Sequence, residues 1–362
     1  MTQAAHVVHG SMLAWMRRNL FASRWSTITT IVLALLLADW LTGFVQWAFV
    51  DAVWSVPGSN ETADSAACRA LQGAGACWAV VHEKFRFIMF GTYPYAEQWR
   101  PACVIVLFIA LYIVSARRHL WNWRLAVVWI VALALVLLLM GGGLFGLQRI
   151  GTDRWGGLPV TLILATFGLA LAFPLAILVA LGRRSQSMPA VRALCMAYVE
   201  VVRALPLVTV LFMASVMFPL LLPEGMDIDK FLRAQVAFML FAAAYLSEVI
   251  RGGLQSVDKG QYEAARALGL GYWRMMGDVV LPQALRVSIP PLVNTFIGFF
   301  KDTSLVLIIG IFDLLTSAQN AVINPTWQGF GTEAYLFVAL IYFCFCFAIS
   351  RYARGLERHG IR

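Results

Sequence analysis

Long apolar runs alternate with short, arginine-bearing segments along this chain. A helix rises 1.5 Å per residue, so about 20 apolar residues cross the hydrocarbon core of a bilayer. Eight runs approach or exceed that length: Thr27–Val50, Arg100–Ala116, Leu125–Leu147, Leu158–Leu181, Leu205–Leu222, Ala234–Ile250, Val287–Ile311 and Ala334–Ser350. The pattern predicts an all-α integral membrane protein with about eight transmembrane helices. Met188–Leu205 reads differently. It mixes Arg192, Glu200 and Arg203 with apolar residues, which predicts an interfacial elbow helix ahead of the fifth span. Met1–Arg24 is polar and basic, and the run after it is too long for the apolar core of a cleaved signal.

The basic residues set the orientation. With the N-terminus inside, the inner segments carry Arg17, Arg18, Arg24, Arg117, Arg118, Arg183, Arg184, Arg251, Arg351 and others, outnumbering those outside by more than two to one. Basic residues favour the cytoplasmic side of short loops, so both termini are expected there. Of the 362 residues, 60% are hydrophobic and 13% charged, against about a quarter charged in soluble domains. That excludes a cytosolic enzyme, a disordered chain and a nucleic-acid-binding module. Arginines flanking the spans account for the net charge of +9.

Candidate chemistry is sparse. The six cysteines are scattered without metal-ligand spacing, and the five histidines all fall outside the apolar runs. None of Lys84, Lys230, Lys259 and Lys301 follows a glycine, so a GxxxxGK[ST] phosphate loop is absent. No catalytic residue, metal site or cofactor is expected in the chain. If ATP drives it, another subunit binds the nucleotide.

The chain divides near residue 155. Residues 1–155 hold three spans and a long outer loop, Asp51–Trp99; residues 156–362 hold five spans. Cys68 and Cys77 lie in that loop with eight residues between them, where disulfides persist; a bridge and two free thiols are both open. The inner connection Arg251–Arg286 is the longest of the second half. Gln261–Leu268 is a run of good helix formers, with Gly269 and Gly271 as C-terminal stops. Glu263 and Arg266 are i,i+3 partners, and Ala264 and Ala265 leave a slim surface. Such a helix could be a docking lever for another protein or an amphipathic helix on lipid headgroups.

Charges within spans are costly, about 2.5–3.5 kcal/mol each at mid-span. Glu248 is expected to pair with Arg251 one turn on, or to meet a substrate ammonium. Lys301 and Asp302 read as deep in the seventh span, about 100° apart, so they cannot face one another. Their partners are expected across an interface or on a zwitterionic substrate. Thr303 and Ser304 can bond the backbone one turn back or line the same path. Pro290-Pro291 is expected to break this span near its inner third, as a hinge or cavity lining, or else to be accommodated as a kink, the commoner case.

Specific motifs then emerge. Glu263-Ala264-Ala265, three residues, Gly269, nine residues, Val279, one residue and Leu281-Pro282 match the EAA signature of ABC-importer permeases, with Val279 where the family prefers Ile. Ser247–Leu254, Asn294–Ile297, Lys301–Leu305 and Arg203–Leu207 are similar to the polar amino-acid subfamily, the histidine and glutamine type. The match covers roughly Leu158–Leu356. The three added spans and the outer loop resemble the M-type permease of the general L-amino-acid importer.

The resemblance implies a bacterial inner-membrane protein with a five-helix type I importer core preceded by three extra helices. It implies a second permease, a pair of ABC ATPase subunits holding ATP and Mg, and a periplasmic binding protein delivering an amino acid. Glu263, Ala264, Ala265, Gly269, Leu281 and Pro282 would form the ATPase-coupling element. An ion-coupled secondary amino-acid transporter is the alternative. It would need mid-membrane coupling carboxylates and usually an internal repeat, which the sequence does not display, and it would leave the EAA loop idle.

Overall fold

A computed structural model describes residues 12–56, 65–70, 73–223 and 225–360. Among these, regular structure is helical except for the two-residue strand Phe312–Asp313. The chain forms two compact units, Met1–His82 and Glu83–Arg362. The division near residue 155 falls inside the second.

In the first unit, α1 (Met12–Asn19) precedes α2 (Arg24–Val45), which runs on as a π turn over Gln46–Val50. Ser23 caps α2 by accepting from the Ser26 amide at 3.2 Å. Trp40 stacks on Phe44, with ring centroids 5.6 Å apart. A short α3 (Ala66–Ala70) carries Cys68, which is disulfide-bonded to Cys77 with the two Cα atoms 5.5 Å apart. The loop is pinned to the end of α2: the Trp78 indole donates to Ala48 O at 2.7 Å, and the Ala76 amide to Trp47 O at 2.8 Å.

Helix α4 (Ala79–Phe90) crosses the unit boundary. In the second unit follow α5 (Trp99–Ser115), α6 (Trp123–Gly141), α7 (Gly157–Gly182) and α8 (Pro189–Ala204). Next come α9 (Leu207–Phe212), α10 (Lys230–Ser256), α11 (Lys259–Ala267), α12 (Tyr272–Arg274), α13 (Leu281–Asp302), α14 (Leu314–Ala321) and α15 (Gly331–Gly360). Among the described residues, seven helical segments are long and apolar enough to cross a membrane. An eighth arises if α8 and the helical run Leu207–Leu221 count as one span bent by 104°. The bend falls at Leu205-Pro206, because proline offers no amide to continue α8 and holds the residue before it extended. The elbow helix expected over Met188–Leu205 is α8.

The core centres on α7 and α10, which run parallel. Trp155 meets Phe231 edge-on beside their starts, and Arg183 meets Glu248 near their ends. Gly168 lets them close: a Cβ there would stand 2.6 Å from Phe238 Cδ1. Helix α13 packs antiparallel, with Phe299 edge-on to Phe238 and Phe241 at 5.5 and 6.0 Å. Helix α5 joins through a 2.5 Å hydrogen bond between the Tyr112 and Thr166 hydroxyls.

Two expectations are corrected. The third span ends at Gly141 rather than Leu147. Gly142 takes φ +67°, and its amide bonds Leu138 O at 2.8 Å, a left-handed stop that glycine adopts without strain. The seventh span is not broken at Pro290-Pro291: α13 runs through both prolines. The carbonyls that they leave unpaired, those of Arg286 and Val287, belong to exposed residues near the helix start, where solvent can bond them. The irregular turns lie elsewhere, as a π turn over Met275–Val280 and a 3-10 stretch over Thr303–Ile309.

Candidate functional site

The candidate site lies at the end of the second unit where α7 and α10 terminate. Only Val257 and Asp258 separate α10 from α11. The Asp258 carboxylate accepts from the Gly260 amide at 2.7 Å, which caps α11. Its other end closes at Gly269, φ +73°, whose amide donates to Arg266 O at 2.9 Å. The helix is therefore Lys259–Ala267, starting two residues before the expected Gln261. Gly271 is not a second stop, since its φ is −65° and it caps α12.

The signature residues divide between two faces. Glu263 and Ala264 are exposed, whereas Ala265 is buried at 3% exposure. The smallness of Ala265 thus serves the chain's own packing. Gly269 is exposed, and a Cβ added there would meet nothing within 4 Å; its requirement is the left-handed backbone, not close contact. Leu281 and Pro282 begin α13 directly after the π turn Met275–Val280. Among the described residues Glu263 makes no ion pair within 4.0 Å, with Arg266 or otherwise.

Beside α11 lies a charged hub. Glu248 on α10 accepts from Arg183 Nη1 at 2.5 Å and from Arg251 Nε at 3.1 Å. Arg251 Nη2 also bonds it, and Arg203 Nη1 stands 3.7 Å away. Arg183 in turn reaches Glu200 at 3.4 Å. Three helices, α7, α8 and α10, are thereby tied at one carboxylate. A cavity of about 290 Å³ opens next to it, lined by Glu248, Val249, Gly252, Gly253, Val287, Ser288 and Pro291.

Lys301 and Asp302 end α13. Phe299, two residues earlier, packs on Phe238 and Phe241, so the two charges lie alongside the body of α10 rather than beyond it. Lys301 is exposed on the side of the unit and Asp302 half-buried, and neither makes an ion pair within 4.0 Å among the described residues. Thr303 is buried and donates to Phe300 O at 2.8 Å, and Ser304 donates to Lys301 O at 2.9 Å.

Residues 172–359 match the family model described as binding-protein-dependent transport system inner membrane component. The chain belongs to that family. It is 48% identical to the inner membrane amino-acid ABC transporter permease protein YhdY of Escherichia coli, over 96% of this chain and 92% of the relative. It is 34% identical to the glutamate/glutamine/aspartate/asparagine transport system permease protein BztC of Rhodobacter capsulatus, over 96% and 93%. The probable glutamine ABC transporter permease protein GlnP of Bacillus subtilis is 37% identical over 56% of this chain and 91% of its own length.

Two buried polar residues of this inner membrane component, Arg100 and Asp313, and one exposed arginine, Arg184, escaped the sequence reading. Arg100, read as a flanking basic residue, is fully buried and donates to Leu139 O at 2.7 Å and Gln148 O at 3.0 Å. It meets one carbonyl of the last turn of α6, that of Leu139, where a cation suits the helix dipole, and one of the loop that follows. Beside it burial pushes the pKa of the Tyr93 hydroxyl up to about 12. Asp313 caps α14 through the amides of Leu315 and Thr316 at 3.1 and 2.9 Å; its burial raises its pKa above the usual carboxylate value. Arg184, treated only as an orienting charge, holds α11. An acidic residue immediately ahead of a helix start was the available signal for Asp313. Neither arginine had one.

Proposed function

We propose that this chain is the permease subunit of an ATP-driven, binding-protein-dependent L-amino-acid importer. The observation that carries the reading is α11. It is a short capped helix fixed to the core, with Glu263 and Ala264 turned outward. The amino-acid permeases among its relatives supply the substrate class. A lever of this kind works only if its partner binds it more tightly in one state than in another.

On this reading Glu263 and Ala264 contact a separate ABC ATPase pair that holds ATP and Mg. Ala265, Gly269, Leu281 and Pro282 give the lever its shape. Residues 156–362 form the five-span core around the coupling loop 251–286, and residues 1–155 add three spans and the outer loop. Both termini face the cytoplasm. Lys301 and Asp302 find their counter-charges outside the chain, on the second permease or on the zwitterion in the pathway. Glu248, already held by arginines, serves as a brace. The chain itself hydrolyses nothing.

The test is ATP hydrolysis by the assembled complex in lipid. An amino-acid-binding protein loaded with its ligand should stimulate it, and the empty binding protein should do so weakly. Hydrolysis indifferent to both would count against the proposal.

A further inference from the structure

Helix α11 is joined to α10 by two residues, so the linker alone leaves its angle free. Packing of its buried Ala265 face on Met275–Val280 holds it on one side, and a second attachment ties it to α7. Arg184, at the end of α7, donates from Nη1 to Leu254 O at 2.9 Å and to the Tyr262 hydroxyl at 2.8 Å. Tyr262, on α11, donates to the same Leu254 O at 3.0 Å, and its ring lies 5.3 Å from the Arg184 guanidinium carbon. Leu254 belongs to the last turn of α10, whose carbonyls have no partners within their own helix. One orphan carbonyl therefore collects a guanidinium from α7 and a phenol from α11. A cation at that point also suits the α10 dipole.

We infer that Arg184 and Tyr262 form a clasp that makes α7, α10 and α11 move as one body. They are positioning residues for coupling, distinct from Glu263 and Ala264, which face outward. The inference rests on the importer reading for its functional consequence, though not for the clasp itself. A tilt of α11 about Val257-Asp258 must either draw the ends of α7 and α10 with it or separate Tyr262 from Leu254 O. With the clasp closed, the first outcome is enforced. The exposed contact from Gln283 to Gln261 at 3.0 Å ties α11 to α13, but a single solvent-facing amide pair holds an angle poorly. The clasp, though its Arg184–Tyr262 bond is exposed too, makes three hydrogen bonds around one carbonyl, and its guanidinium is a rigid planar fork that stacks as well as bonds.

Two measurements test this on the full chain. Tyr262→Phe removes the hydroxyl and keeps the ring, and Arg184→Lys keeps the charge and removes the fork. In the purified chain, amide hydrogen exchange across 259–267 should rise about tenfold in either variant, the equivalent of one or two lost hydrogen bonds. Unchanged exchange would overturn the clasp whatever the fate of the importer reading. In the complex with its ATPase subunits, both variants should still assemble, yet consume several times more ATP per amino acid imported. The double variant should be no worse than the single ones, since the pair acts as a unit. An unchanged ratio of ATP to amino acid, additive losses, or failure of Tyr262→Phe to assemble would each overturn the positioning role. If the wild-type chain never pairs with an ATPase while the exchange result holds, the importer reading fails and the clasp stands.

Discussion

Arg183 and Glu248, 65 residues apart in sequence, meet at 2.5 Å where α7 and α10 end. The contact turns two parallel spans into one braced unit, and Arg203 and Arg251 extend it to α8 and the next turn of α10. Glu248→Gln should therefore leave three guanidinium groups short of a counter-charge. The carboxylate is a quarter exposed, so solvent softens the loss to about 1–3 kcal/mol. Thermal unfolding in detergent should fall by several degrees. Adding Arg183→Gln should cost less than the sum of the two changes.

Gly253 is a close-approach point between α10 and α13. A Cβ there would stand 2.6 Å from Ala284 O and closer still to Ser288 Oγ. Gly253→Val should force the helices apart at a cost of about 1–3 kcal/mol. Expression in the membrane fraction and thermal unfolding would report it. Gly252→Ala, one residue away in open space, is the control and should behave as wild type.

Arg100→Met should be among the most damaging single changes at the opposite end of the unit. It takes the guanidinium from the Leu139 and Gln148 carbonyls, leaving Leu139 O only the long Tyr93 contact at 3.4 Å, and breaks the ion pair with Glu97 at 3.5 Å. Each unsatisfied group costs about 1–3 kcal/mol. The expected readout is loss of monodisperse protein on gel filtration, with Arg100→Lys only partly restoring it.

Thiol labelling tests the first unit. Without reductant, Cys68 and Cys77 should resist a maleimide in unfolded protein, and reduction should expose both. Cys103 and Cys344 should label under either condition. Replacing Cys68 with Ser should cost the loop about 2–3 kcal/mol through the chain entropy of so short a ring, read as faster proteolysis between Asp51 and Trp78.

Glu263→Lys reverses the one exposed acidic charge on α11. Transport should fall by at least about tenfold, the size of a lost charge-assisted contact, with the chain still folded. Wild-type uptake in that variant would show that α11 is no lever.

The spans were legible because lipid imposes a length that apolar runs record directly. Their ends were less so. Gly141–Gly143 gave the signal that stops α6, but the apolar run Leu144–Leu147 masked it. The prolines at 290 and 291 suggested a break, yet α13 accommodates both, with the freed carbonyls on exposed residues. At the candidate site, Glu248 with Arg251 was readable from helical spacing alone, whereas Arg183 and Arg203 reach Glu248 only through the fold. Ala264 and Ala265 are chemically identical neighbours, so only the packing of α11 on Met275–Val280 decides which one faces outward. The clasp at Leu254 had no local trace, since its three members come from three different helices.

The most direct measurement of the central claim is amino-acid uptake by sealed proteoliposomes. They would contain this chain, a second permease and the ATPase pair, with ATP inside and the loaded binding protein outside. Uptake should require both and stop without hydrolysis. Accumulation by this chain alone, driven by an ion gradient, would contradict the importer reading.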